Sequence, residues 1–241
     1  MTGQNQDVSL AMEEFGLVVR LRPSDGRPAA LMFTWAGQLG YHGLNEHGVT
    51  HFANGLTGGP RGVPAIPHYP LKRACLEQRS VAQCEALLNA QPVCSSGNMV
   101  FADGAGEVAD VEISPNTCIS LSAEHAFKGS FLHTNHFLDP VLSQRHPPLI
   151  ADSLPRLVRL RSLVELGWGD LTVGTMKTIL ADHGDGIEAG GAGECEEGGC
   201  ICRHGLGAMD SVCGYIADVG TRTLHVRRGH GCTGKWTAYV L

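Results

Sequence analysis

The chain has 241 residues, 43% of them hydrophobic and 17% charged, and a formal net charge of −6. That balance fits one globular domain with a full core and excludes a disordered chain. It also lacks the basic block that nucleic acid or an anionic membrane requires, and no run reaches the roughly 20 apolar residues of a membrane span. The first residues, MTGQNQDVSL, show no basic start followed by an apolar run, so they read as part of a fold rather than as a leader. Nine cysteines, an odd number scattered over a long chain, point to reduced thiols in a cytoplasmic protein rather than to a secreted disulfide framework.

Taken in order, residues 15–22 (FGLVVRLR) alternate, and a Pro23-Ser24-Asp25-Gly26 turn leads into the apolar run Ala30 to Trp35. This pattern predicts a β-hairpin. The glycine-punctuated stretch from Gly37 to Gly48 reads as a connection, followed by a third strand in GVTHFAN. Residues 66–90 are compatible with helix and end before Pro92, and Met99 to Glu112 folds back on itself around Asp103-Gly104. In DSLPRLVRLRSLVELG, Ser153 is the expected N-cap, Pro155 sits in the first turn, Leu157, Leu160 and Val164 share a face, and Gly167 terminates. LTVGTMKTILADHG repeats the scheme, with Thr172 as cap, Val173, Met176 and Leu180 on one face, and Gly184 as terminator. Residues 184–199, with seven glycines and five acidic residues, read as a mobile loop. The end returns to strands: a hairpin of Val212 to Val219 and Arg222 to Arg227, then a last strand in which Trp236, Ala238 and Val240 alternate with their neighbours. The order predicts an α+β fold of antiparallel sheets covered by helices, in a single domain over residues 1–241.

No dinucleotide fingerprint, P-loop or G-x-S-x-G elbow occurs, so no nucleotide, redox cofactor or other cofactor is expected. Three polar clusters stand out instead: GQNQD at 3–7, HTNHF at 133–137 and ICRH at 201–204. Each alone is compatible with turn residues or satisfied hydrogen-bonding groups. Cys195, Cys200 and Cys202 with His204 are dense enough to raise zinc, but their spacing departs from the paired C-x2-C pattern, and reduced thiols without metal are the expectation.

A fourth stretch, AGQLGYHGLNEHGVTHFANGL (36–56), changes the weight of these clusters. Together with SSGNMVFADGAGEVADVEISP, LHTNHFLDP, ILADH, ICRH and the closing W-x-x-Y-x-L, in that order, it resembles the acyl-coenzyme A:6-aminopenicillanic acid acyltransferase family. That family belongs to the N-terminal nucleophile hydrolases, and the likeness runs over essentially the whole chain. It implies a four-layer αββα sandwich and a self-processed precursor in which cleavage before a cysteine frees its thiol and its α-amine. The free amine, with an ordinary pKa of about 8, serves as base for the thiol, which attacks an amide or thioester carbonyl. Water or an amine then takes the acyl group.

By the same resemblance, Asp7 orients the α-amine, Asn135 donates to the developing oxyanion, and Arg203 anchors the carboxylate side of the site. Asn54, His133 and His136 are expected along the substrate pocket, the two histidines as core or supporting side chains in preference to reacting ones, and Gln6 replaces the aromatic residue common beside the aspartate. The implied partner is a small acyl-amide, peptide-like or acyl-coenzyme A substrate. In the family the nucleophile lies one strand before the Gly-x-Asn-x-Asp pattern, so the chain reads as truncated at its start. The first cysteine, Cys75, comes well past Asp7, Cys232 in GHGCTGKW reads as structural, and Thr2 is too close to Asp7 to serve. Two other readings stand beside the enzyme: a non-catalytic homologue that binds an acyl-amide ligand in the same cleft, and a binding protein stabilised by metal on Cys195, Cys200, Cys202 and His204.

Overall fold

A computed structural model describes residues 1–56, 64–115, 117–184, 199–204 and 209–241. The chain opens with β1 (Thr2–Val8), and seven strands then pair in antiparallel succession: β2 (Gly16–Leu21), β3 (Ala30–Trp35), β4 (His42–Asn45), β5 (Thr50–Phe52), β6 (Gly97–Ala102), β7 (Val108–Ser114) and β8 (Thr117–Ser120). The predicted first hairpin forms as read, with Gly16 opposite Trp35 and Leu21 opposite Ala30. The Gly37 to Gly48 stretch is more than a connection, because β4 lies inside it. Its strand character is masked in the sequence by Gly43, where the backbone approaches so closely that an added Cβ would sit 2.3 Å from the Leu31 carbonyl oxygen.

The second sheet has four strands in the order β1, β9 (Asp210–Asp218), β10 (Thr223–Arg228), β11 (Lys235–Val240), again antiparallel. The two sheets pack face to face through rings and aliphatic chains. Leu31, Phe33 and Trp35 on β3, Leu44 on β4 and Phe52 on β5 meet Val212 and Tyr215 on β9 and Leu224 on β10. Tyr215 is fully buried at the centre, 4.7 Å from the Phe33 ring and stacked at 5.7 Å on Phe52.

Helices cover the outer faces. Against the seven-stranded sheet lie α1 (His68–Cys75) and α2 (Val81–Ala90), whose Leu71, Cys75, Val81, Cys84 and Leu88 pack on Met99, Phe101, Val111 and Ile113. With both faces covered, all six residues of β3 are buried, which explains a continuous apolar run where a one-sided strand would alternate. A short α3 (Pro140–Arg145) follows, capped by the Asp139 carboxylate with Pro140 in its first turn. Beyond it are α4 (Ser153–Leu166) and α5 (Val173–Leu180), the latter packed on β1 and β9. Gly167 ends α4 as expected, but Asp152 rather than Ser153 occupies the N-cap position. Thr172 caps α5 in a reciprocal box with Thr175, and the helix stops at Ala181, ahead of Gly184. The architecture is the four-layer αββα sandwich. Most of the glycine-rich acidic loop, residues 185–198, lies outside the described residues. Among the described residues no helix is long and apolar enough to cross a membrane.

Candidate active site

A cavity of about 830 Å³ opens between β1, the loop after β5, the HTNHF segment and the inner faces of α4 and α5. Its polar wall includes Gln4, Asn5, Asp7, Asn54, Lys72, His133, Asn135 and Arg156, and its apolar wall includes Leu160, Val164, Leu171, Met176, Ile179 and Leu180. Such a cleft suits a ligand with a polar functional group and an apolar tail.

Asp7 reaches the cavity through an irregularity in the sheet. Pairing of β1 with β9 runs from Thr2 opposite Ala217 to Gln6 opposite Cys213, then slips so that Asp7 faces Ser211. The slip is a β-bulge, which re-aims the side chain. The Ser211 hydroxyl donates to Asp7 Oδ1 at 2.6 Å, and Arg203 Nη1 lies 3.6 Å from Oδ2. Burial raises the Asp7 carboxyl above its ordinary value, an effect opposed by the Ser211 hydrogen bond and the Arg203 charge.

Arg203 is placed by its own backbone. Its N–H donates to Ser211 Oγ at 2.9 Å, and its carbonyl accepts the Ser211 N–H at 2.7 Å. From Arg203 the charges alternate along a chain of contacts: Nε is 3.2 Å from Asp152 Oδ2, Asp152 Oδ1 is 3.3 Å from Arg156 Nη2, and Arg156 Nη2 donates to Asn135 Oδ1 at 2.8 Å. Every charge in this half-buried row has a counter-charge, as burial demands. Because Arg156 takes its oxygen, the Asn135 amide is fixed with Nδ2 outward, donating to the Gly55 carbonyl at 3.0 Å. Its backbone N–H is held by Ser153 Oγ at 2.8 Å, which is what that serine does instead of capping α4.

Asn54 is oriented by Gln4, a residue the motif reading passed over. Gln4 Nε2 donates to Asn54 Oδ1 at 3.0 Å and to the Ala53 carbonyl at 2.7 Å, while its Oε1 accepts the Ala53 N–H at 2.9 Å. The Asn54 backbone is clamped in turn by Asn98, which its N–H and carbonyl both meet. Asn5 ties β1 to two other segments by donating to the Leu180 and Ile201 carbonyls, each at 2.8 Å. The sequence signal for Gln4 and Asn5 was their place inside GQNQD; Arg156, Asp152 and Ser211 carried none.

The two histidines of HTNHF part company. His133 lines the cavity but is spoken for on both nitrogens: Nδ1 donates to the Thr134 carbonyl and Nε2 to Glu112 Oε1, each at 2.8 Å. Burial works against its charge, but the Asp110 and Glu112 carboxylates outweigh it and raise its pKa, consistent with an imidazolium. His136 is turned away from the cavity, its Nδ1 in contact with Ser153 Oγ at 2.8 Å and Thr134 Oγ1 at 3.2 Å. The structure places it in the support of the HTNHF loop, not on the pocket wall. Lys72, also unanticipated, is buried in that wall with its ammonium 4.0 Å over the Tyr41 ring, and burial lowers its pKa to about 7. None of the described cysteines lines the cavity, and Cys195 lies outside the described residues.

Known structures share the fold. Penicillin V acylase from Agrobacterium tumefaciens superposes over 100% of this chain and 81% of its own, with TM-score 0.61 and 9% identity. A variant of conjugated bile acid hydrolase from Clostridium perfringens gives 0.59 at 11% identity, over 99% of this chain and 92% of that one. The N-acylethanolamine-hydrolyzing acid amidase ortholog of Caenorhabditis elegans gives 0.57 at 13% identity, over 90% and 87%. No curated protein sequence matches significantly. The family model described as acyl-coenzyme A:6-aminopenicillanic acid acyl-transferase matches residues 2–167, more than half the chain and all of β1 through α4. The chain therefore belongs to the acyl-coenzyme A:6-aminopenicillanic acid acyl-transferase family.

Proposed function

We propose that this chain is the body of an amide hydrolase or acyl-coenzyme A-dependent N-acyltransferase, working through an acyl-enzyme on an N-terminal cysteine contributed by a segment that precedes Thr2. The observation that carries the reading is the convergence of Asp7, Asn54 and Asn135 on one cavity, with Arg203 beside Asp7 and Arg156 bonded to Asn135. β1 is an edge strand of its sheet, and Thr2 Oγ1 and Asn5 Oδ1 are buried there without hydrogen-bond partners among the described residues. A preceding strand paired to that edge brings its first residue to the Asp7 end of the cavity.

In this mechanism the cysteine α-amine, held by the Asp7 carboxylate, takes the thiol proton. The thiolate adds to the substrate carbonyl carbon, and the oxygen gathers the negative charge. Asn135 Nδ2 and the Asn54 amide face that oxygen, and such donors stabilise it by about 3 kcal/mol each. The C–N bond then breaks, the amine leaves with the proton, and a thioester remains. Water returns the free acid, and an acceptor amine returns a new amide. The acyl chain lies along Leu160, Val164 and Met176 on the apolar wall.

Mass spectrometry of the protein expressed with its in-frame upstream residues tests the reading. After incubation with a medium-chain N-acyl amide, the spectrum should show a cysteine-initiated chain carrying one acyl group, removed by hydroxylamine. Turnover by a chain that starts at Met1 overturns the nucleophile assignment. Tight binding of the amide without any acyl adduct in the extended protein establishes the alternative, a non-catalytic binder.

A further inference from the structure

Apart from the residues that line the cavity, four side chains that the acyl-transfer reading leaves unused converge. His183 comes from the turn after α5, Cys202 and His204 from the ICRH segment, and Cys232 from the connection between β10 and β11. One ligand atom from each lies within 4.8 Å of all the others. His183 Nε2 and His204 Nε2 face each other at 2.8 Å, and Cys232 Sγ is 3.6 Å from His204 Nε2. A tetrahedral ion with bonds of about 2.0 Å to nitrogen and about 2.3 Å to sulfur needs ligand atoms roughly 3.3–3.8 Å apart, within a small adjustment of what is present. We propose that His183, Cys202, His204 and Cys232 form a closed Cys2His2 site for a zinc-class divalent cation.

The donor set selects the ion. Two sulfurs and two imidazoles with no carboxylate or carbonyl among them suit zinc, and exclude calcium and magnesium, which take oxygen. The Gly231 N–H donates to Cys202 Sγ at 3.1 Å, and the buried Arg227 guanidinium lies close enough to interact with both Cys202 and Cys232, so a donor and a positive charge face the sulfurs. Four protein ligands leave no open position, so the ion is structural. It differs from the group of Cys195, Cys200, Cys202 and His204 whose density raised zinc in the sequence and whose spacing favoured reduced thiols without metal. Of the described members of that set, Cys202 and His204 contribute, while the Cys200 thiol is turned to the His183 carbonyl at 2.8 Å. The missing partners come from His183 and Cys232, distant in sequence.

The site has a consequence for the cavity. Cys202 and His204 flank Arg203, and Asn5 grips the carbonyl of Ile201, so the ion fixes the segment that aims the guanidinium at Asp7. The proposal does not depend on acyl transfer, since a chain without turnover still binds the ion.

Elemental analysis of the untagged protein, purified under reducing conditions from zinc-supplemented culture, should find about one zinc per chain. After removal by chelator, titration with cobalt(II) should produce the visible bands of a tetrahedral ion and thiolate-to-cobalt charge transfer, saturating at one equivalent. Cys232→Ser and His183→Ala should each cut the bound zinc to under about a tenth of an equivalent. Absence of stoichiometric zinc and cobalt in the folded wild-type protein overturns the proposal. So does a cobalt spectrum without thiolate bands, or a Cys202–Cys232 disulfide in the reduced preparation. The wild-type titration decides the matter even if a variant does not fold.

Discussion

The two sheets of the sandwich are built on opposite plans. In the seven-stranded sheet each strand pairs with its neighbour in sequence, and every connection is a short one except that from β5 to β6, which carries α1 and α2. In the four-stranded sheet β1 pairs with β9, Thr2 lying opposite Ala217 across nearly the whole chain. The second plan is costly in loop-closure entropy, but it brings residues together that local structure cannot. Asp7, Arg203 and Ser211 meet only because of that pairing, and the His183 to Cys232 cluster stands beside it. The locally paired sheet supplies the scaffold, and the distantly paired sheet assembles the chemistry.

Stability and activity should therefore separate by sheet. The largest loss of stability is expected at the interface between them: Tyr215→Ala removes the ring that joins Phe33 and Phe52 and should cost about 3–5 kcal/mol in denaturant unfolding. If the cost is under about 1 kcal/mol, the sheets are not held by this core. Asn135→Ala in the catalytically complete protein should instead raise the barrier by about 3 kcal/mol, roughly a hundredfold in kcat, with a much smaller change in stability. An equal loss in KM and none in kcat would assign Asn135 to ground-state binding.

A third effect has a definite sign. The folded-state pKa of His133 is raised, so its pairing with Glu112 is fully stabilising below the ordinary value of 6.5 and is lost as pH rises through the higher folded value. Unfolding free energy should fall over that window, and Glu112→Gln should flatten the slope. A slope unchanged by Glu112→Gln means that the Glu112 pairing does not set it, and leaves Asp110 or another group as its source. The smallest effect belongs to local structure. Thr172→Ala removes the α5 capping box and should cost about 1 kcal/mol, readable as a shift in denaturant midpoint with no change in activity.

What the sequence disclosed follows the same division. The first hairpin, the turn at Asp103-Gly104, the end of α4 at Gly167 and the start of α5 at Thr172 are local events, readable from alternation, a capping threonine and a terminating glycine. β4 escaped because Gly43 was needed for close strand approach, and β8 because four residues carry too little pattern. At the site, Asp7, Asn135 and Arg203 stood in motifs, but the remaining supports did not. Arg156 sits on a helix whose spacing announced only an apolar face, and Ser211 and Asp152 look like ordinary polar residues until the fold closes. His136 was placed on the pocket because it shares a motif with Asn135, yet neighbouring positions in a loop point different ways. The metal cluster was sought among close cysteines, whereas two of its four members are supplied by long-range folding.

The most direct test of the whole account is Asp7→Asn, measured for activity and thermal stability together in the catalytically complete protein. Burial raises the Asp7 pKa above its ordinary value, so keeping this carboxylate ionised inside the fold costs stability. The isosteric amide can still accept from Ser211 while losing the charge that holds the α-amine. The account predicts that kcat/KM falls on the order of a hundredfold or more while Tm holds or rises. Retained activity with a lowered Tm would contradict it, and would make Asp7 a structural acid of the bulge rather than the centre of the site.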